Sequence, residues 1–259
     1  MRKRLAKEVF FMSREKPSAA YKVVKAIVRL VYGKMDVLGG ENLPAGASII
    51  VGNHAQMNGP IAAELFLGMD RYTWCIGQMM ELKEVPAYAF QDFWSAKPRA
   101  VRWLYKIASY LIAPLSVFIF NNANTIPVYH DARVLMTFRE TLKRLREGNR
   151  VVIFPEHDVP YNNILCDFQD KFVDLARMYY SLTKQRLSFV PMYICPALKK
   201  LVLGAPILFE PDSDIDAERS RICDTLKVSI TDLARGLPRH TVVPYRNIPK
   251  KEYPSSLPD

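Results

Sequence analysis

A mixed, partly parallel α/β sheet flanked by helices, entered through an N-terminal amphipathic basic arm, is the fold that three features of the sequence predict. Short apolar runs bounded by Gly, Pro or Asn alternate with longer stretches of helical period, the order that builds a sheet with crossover helices. The strand-like runs are apolar on successive residues rather than alternating, as strands covered on both faces are. The chain has 259 residues, 49% of them hydrophobic and 24% charged, which suits a sizeable folded core and excludes a disordered or collagen-like chain.

The elements follow in order. Residues 2–12 read as a short helix with Leu5, Val9 and Met12 on one face. Pro17 interrupts it, and Ser18 can cap a second helix with an apolar stripe of Val23, Val24, Ile27, Leu30 and Val31 and a basic face of Lys22, Lys25 and Arg29. Strands are expected over 47–52, 73–76, 125–129, 151–154 and 189–194, and over 201–209 with a break at Gly204 and Pro206. A helix over 131–147 is closed by Gly148, and a final amphipathic helix spans 214–235. Residues 103–120 are the most apolar stretch, with Lys106 the one charge and Pro114 in the middle, and are read as a buried or interfacial hairpin. The tail after Gly236 holds five prolines and is expected to be extended. The resulting division is a basic membrane-association arm at 1–34, an α/β domain at 35–236 and a Pro-rich tail at 237–259.

The formal charge is +10, and it is concentrated: residues 1–34 hold ten basic and two acidic side chains, a net +8. A basic amphipathic arm on a nearly neutral body fits an anionic membrane surface, where each cation is worth about 1 kcal/mol. No helix-turn-helix, zinc or RNA-sheet signature accompanies the charge, so nucleic acid is not the expected partner. The four cysteines are scattered with no Cys-x-x-Cys pair, so neither a disulfide framework nor a metal site is expected. Scattered thiols and the lack of a secretory pattern point to the cytoplasmic face of a membrane, in peripheral or monotopic attachment.

Four segments carry chemistry: Asn53-His54 after a strand, Ile126-Pro-Val-Tyr-His130, Phe154-Pro-Glu156 after another strand, and Val190-Pro191. In this order and spacing they resemble the glycerophospholipid acyltransferase family, typified by 1-acylglycerol-3-phosphate acyltransferases, over roughly residues 35–236; Gly204-Ala-Pro206-Ile resembles that family's later strand. The resemblance implies acyl transfer from a thioester, on coenzyme A or an acyl carrier protein, to a hydroxyl of a lysophospholipid or related acceptor. It needs no further cofactor. His54 is then the general base, a role suited to a neutral imidazole. Residues 101–120 and the aromatic-rich helix near Phe172–Tyr180 are expected to form the acyl groove.

The chain departs from the family pattern at three points. The Asp expected five residues after His54 is Gly59, with Asn58 the nearest polar replacement and Asp158 the first candidate for a substitute acid. The phosphate-binding Arg of the second block falls at His130, with Arg133 nearby, and the third block reads Phe154-Pro-Glu156-His157-Asp158. The catalytic set implied is therefore His54, Asn58 and Asp158, with Asn53, His130, Arg133, Glu156 and His157 lining the acceptor site. The alternative is a catalytically impaired lipid-binding member of the same fold. Gly52, Gly59 and Pro60 read as turn residues that hold the imidazole on a loop.

Overall fold

The computed structural model describes residues 17–68, 70–95 and 97–257; the helix expected over 2–12 lies outside them. In chain order the elements are α1 (Ala19–Tyr32), β1 (Asp36–Leu38), β2 (Ser48–Gly52), α2 (Asn58–Phe66), β3 (Arg71–Ile76), α3 (Val85–Ala89), α4 (Arg102–Asn122), β4 (Thr125–Val128), α5 (Val134–Arg146), β5 (Arg150–Ile153), β6 (Glu156–Pro160), β7 (Cys166–Phe168), α6 (Asp174–Thr183), β8 (Ser188–Cys195), β9 (Lys200–Leu203), β10 (Ile207–Leu208) and α7 (Ile215–Arg235). The chain forms two compact units. One is the described part of Met1–Ala26 with Cys75–Pro127, the other Ile27–Trp74 with Val128–Asp259.

The larger unit is built on a mixed, mostly parallel sheet in the order β1-β9-β8-β2-β5-β3, with β10 beside β8. β2 is parallel to both β5 and β8, β3 to β5 and β1 to β9, whereas β9 and β10 run antiparallel to β8. The central strands have the predicted continuous apolar character because both faces are covered: Ile49, Ile50, Val51, Val151, Val152, Phe189, Val190 and Met192 are all buried. Pro191 lacks an amide donor, and it sits opposite the gap between β9 and β10, where Gly204 leaves the ladder. Gly204 donates its amide to the Pro191 carbonyl (2.8 Å), and a Cβ at 204 would lie 2.8 Å from the proline ring. The two motif segments thus fit one another across the break.

α5 stops where Gly148 takes φ +81°, the left-handed conformation that ends helices. α7 starts at Asp214, whose carboxylate accepts from the amides of Asp216 and Ala217. β1, α2, α3 and the hairpin β6–β7 lie outside the expected elements. β1 is three exposed residues with no apolar pattern. In α2 the turn-like Asn58-Gly-Pro60 opens a helix, a place where proline's missing amide costs nothing.

In the smaller unit the expected hairpin over 103–120 is instead one helix, α4, continuous through Pro114. A proline inside a helix costs about 3 kcal/mol. Packing compensates: Ser109, Ala113 and Ser116 make a small-residue buried face, Ala113 joins a cluster with Met79, Val85 and Ala89, and Ser116 Oγ donates to the Met79 carbonyl (2.8 Å). The opposite face is apolar and exposed, with Trp103, Ile107, Tyr110, Leu111 and Leu115 outward and Leu111 75% exposed. Arg99–Asn122 is long and apolar enough to cross a membrane, with a mean hydropathy of 1.5 over its most apolar 18 residues.

Candidate functional site

The site begins where β2 ends. Asn53 is buried, and its side-chain amide brackets one residue of β8, accepting from Ile194 N (2.7 Å) and donating to Ile194 O (3.1 Å). That clamp fixes where the chain leaves the sheet. The next turn is tight: Ala55 and Gln56 both take positive φ, +45° and +54°. Gly59 closes it by donating its amide to the His54 carbonyl (2.9 Å). A Cβ at position 59 would stand 2.5 Å from the His54 carbonyl oxygen and 2.8 Å from that of Asn53, so this backbone excludes any side chain there. This turn therefore has no room for the aspartate that the resemblance leads one to expect five residues after His54.

Asn58 does not take that place. Its Nδ2 donates to the Ala55 carbonyl (3.0 Å) and its Oδ1 accepts from the Tyr32 hydroxyl (3.4 Å), so it braces the turn. The oxygen on the imidazole is a backbone one: His54 Nδ1 pairs with the carbonyl of Gln56. A carbonyl only accepts, so Nδ1 carries the proton and Nε2 is the basic nitrogen. The ring stands half-buried, edge-on to Phe154 (5.5 Å between centroids) and Tyr245 (5.6 Å).

Glu156 reaches the same turn from the other motif. One carboxylate oxygen accepts from the His54 backbone amide (2.5 Å), the other from Cys166 N across the β6–β7 hairpin (2.7 Å). It is 4% exposed, and burial pushes its pKa up to about 7 against the pull of those two amides. Both were expected at the acceptor; here their side chains hold backbone groups, Asn53 those of Ile194 and Glu156 those of His54 and Cys166. Burial also pushes the Cys166 thiol up, to about 11, which makes it an unreactive group.

Four expected residues face elsewhere. Asp158, the expected substitute acid, is 83% exposed and pairs with Arg246 Nε (3.8 Å). It lies past the point where β6 reaches solvent, so its carboxylate serves the chain end rather than Nδ1. His130 is exposed, and Arg133 is engaged by Asp131 (2.9 Å) and stacked over Tyr129 (3.9 Å). His157 is half-buried on β6, next to inward-facing Glu156. Its neighbour's inward orientation sends it to the other side of the strand.

The sequence reading missed Gln56, Cys166, Tyr245, Arg246 and Tyr253. The last three belong to the Pro-rich tail, which is a folded clip rather than an extended strand: Thr241 pairs with Ser255, Val242 N donates to Pro254 O (2.9 Å) and Ser256 N to His240 O (2.9 Å). His240 anchors the clip, buried, with Nδ1 on the Pro238 carbonyl (2.8 Å) and Nε2 on the Tyr193 hydroxyl (2.8 Å). No spacing rule connects residues 197 positions apart, as Gln56 and Tyr253 are. Among the described residues no group of three His, Cys, Asp or Glu side chains is placed to hold a metal ion. Two surface hollows of about 350 and 500 Å³ lie along α7 and share no residue with this constellation.

No known family model matches the chain, and no curated protein does. Among solved structures it is similar to the crystal structure of the 1-acyl-sn-glycerophosphate (LPA) acyltransferase PlsC from Thermotoga maritima, at 15% sequence identity and a TM-score of 0.49, over 82% of this chain and 79% of that one.

Proposed function

We propose that this protein is a membrane-associated acyltransferase that moves a fatty acyl group from a thioester to the hydroxyl of a lysophospholipid or related acceptor, with His54 as general base. One observation carries the reading. The Asn53-His54 and Phe154-Pro-Glu156 segments, 102 residues apart between His54 and Glu156, meet through a hydrogen bond from the His54 backbone amide to the Glu156 side chain, beside a half-buried imidazole. Sites in α/β sheets form beyond the carboxyl ends of strands, and His54 stands just beyond the end of β2.

The chemistry follows from the tautomer. Nε2 takes the proton of the acceptor hydroxyl as its oxygen attacks the thioester carbonyl carbon. The C–S bond then breaks, and the departing thiolate recovers a proton from the imidazolium. The Gln56 carbonyl stabilises that imidazolium as a dipole, less strongly than a carboxylate does. The donor is an acyl-coenzyme A or acyl carrier protein, and no other cofactor is needed. The exposed apolar face of α4 and the outward Val23, Ile27, Leu30 and Val31 of α1 support attachment to a membrane surface.

The test is direct. The purified chain, given acyl-coenzyme A and a panel of lysophospholipids, should form diacyl products detectable by mass spectrometry. His54→Ala should lower the rate by about 10²-fold or more while leaving the melting temperature near that of the parent. Transfer at the parental rate by a folded His54→Ala protein would overturn the base assignment, and bound but unconverted lipid would favour the non-catalytic lipid-binding alternative.

A further inference from the structure

The imidazole of His54 is held by a backbone carbonyl, so whatever holds that carbonyl holds the tautomer. Gln56 has an uncommon backbone conformation for a residue with a side chain, at φ +54° directly after Ala55 at +45°. Such residues persist when their surroundings fix them. Here the fixing group is the Gln56 side-chain amide. Its Nε2 donates to the Tyr253 hydroxyl (2.9 Å) and to the Arg246 carbonyl (3.3 Å), the two ends of the tail loop that carries Tyr245 against the imidazole. The loop is itself held at its base by the Thr241–Ser255 pairing and, on its outer side, by the Asp158–Arg246 ion pair.

We infer that Tyr253 is a positioning residue that acts through Gln56: by fixing the Gln56 backbone it keeps His54 in the Nδ1–H form, so that the C-terminal tail supplies the orienting function that the absent motif aspartate leaves open. The inference rests on the reading of His54 as the base, but its first test needs no substrate. In water neutral imidazole prefers the proton on the other nitrogen, so the Nδ1–H form is a distinct signature of the fold's hold on the ring.

The experiment is nitrogen-15 NMR of histidine-labelled full-length protein, in which only four histidines contribute and His54 is assigned by loss of its signals in His54→Ala. The parent should show His54 protonated at Nδ1. Tyr253→Phe removes one oxygen and keeps the ring, so the fold is not at stake. It should shift the His54 tautomer ratio by about fivefold, the change that one neutral hydrogen bond commands. Gln56→Gly, which tolerates the positive φ but lacks the amide, should shift it the same way. In transfer assays both variants should lower kcat several-fold, leave KM for the acceptor within twofold, and alter the acid limb of the pH profile. Unchanged His54 signals in both variants would overturn the inference, whatever happens to activity. A tautomer shift in a protein that transfers no acyl group would leave the inference standing and sink the acyltransferase reading instead.

Discussion

At Gly59 the backbone, and not an electrostatic preference, determines which residue the chain can carry. An aspartate here would push a Cβ to within 2.5 Å of the His54 carbonyl, so Gly59→Asp should destabilise the protein by about 1–3 kcal/mol and gain no activity. Gly59→Ala should lose nearly as much, because the clash belongs to Cβ and not to the charge; thermal melts of both variants decide it. A stable and faster Gly59→Asp protein would show that the turn opens freely. Glu156 sets a pH dependence of the opposite sense to an ordinary salt-bridged carboxylate. Its folded-state pKa, about 7, lies above the ordinary glutamate value of 4.5, so between these values the folded state binds more protons than the unfolded one. Stability contributed by this group is present at low pH and lost as pH rises through about 7. Denaturant melts should show the parent losing stability over that window relative to Glu156→Gln, which cannot ionise. The amide also places a donor against one of the two backbone N–H groups, so the variant should be weaker below pH 4.5, by about 1–3 kcal/mol. If the two proteins keep a constant difference from pH 4 to 8, the Glu156 carboxyl titrates alike in the folded and unfolded states and burial does not raise it.

Among the elements, α4 has the clearest division of labour. Its small residues pack inward and its large ones face out, the reverse of a helix in a soluble core. Replacing Ile107 and Leu111 with glutamate should therefore leave the melting temperature within a few degrees of the parent. The same change should release the protein from phospholipid vesicles, read by flotation. A large loss of stability would mean that this face is covered within the folded protein. Ala113→Leu makes the contrasting case. It adds bulk on the packed face beside Met79 and Val85, so overpacking should cost about 1–3 kcal/mol with little effect on flotation.

Over the whole molecule the charge is asymmetric, with a net +8 of the +10 in the first 34 residues. Removing residues 1–16, ahead of α1, should leave the rest of the chain folded and weaken its binding to anionic vesicles. What binding is left should depend less on salt, since the apolar face of α4 is insensitive to screening. Equal flotation of the truncated and intact chains at low ionic strength would show that the arm is not the anchor.

The sheet was legible in the residues themselves because a strand covered on both faces must be apolar on every position. So Ile49–Val51, Val151–Ile153 and Phe189–Ile194 announced themselves, as did Gly148 and Asp214 at helix ends. Asn53, His54 and Glu156 were legible as a set through their motif spacing. Their division of labour was not. Whether a polar residue faces a substrate or a backbone amide depends on partners distant in sequence, and only the folded chain brings Glu156 to the His54 amide, Asn53 to Ile194 and Gln56 to Tyr253. The sequence by itself determined that an imidazole follows a buried strand of an α/β sheet. The tertiary structure decided what holds it, because an accepting carbonyl of the local turn, steadied by the tail, leaves no pattern of side chains to read.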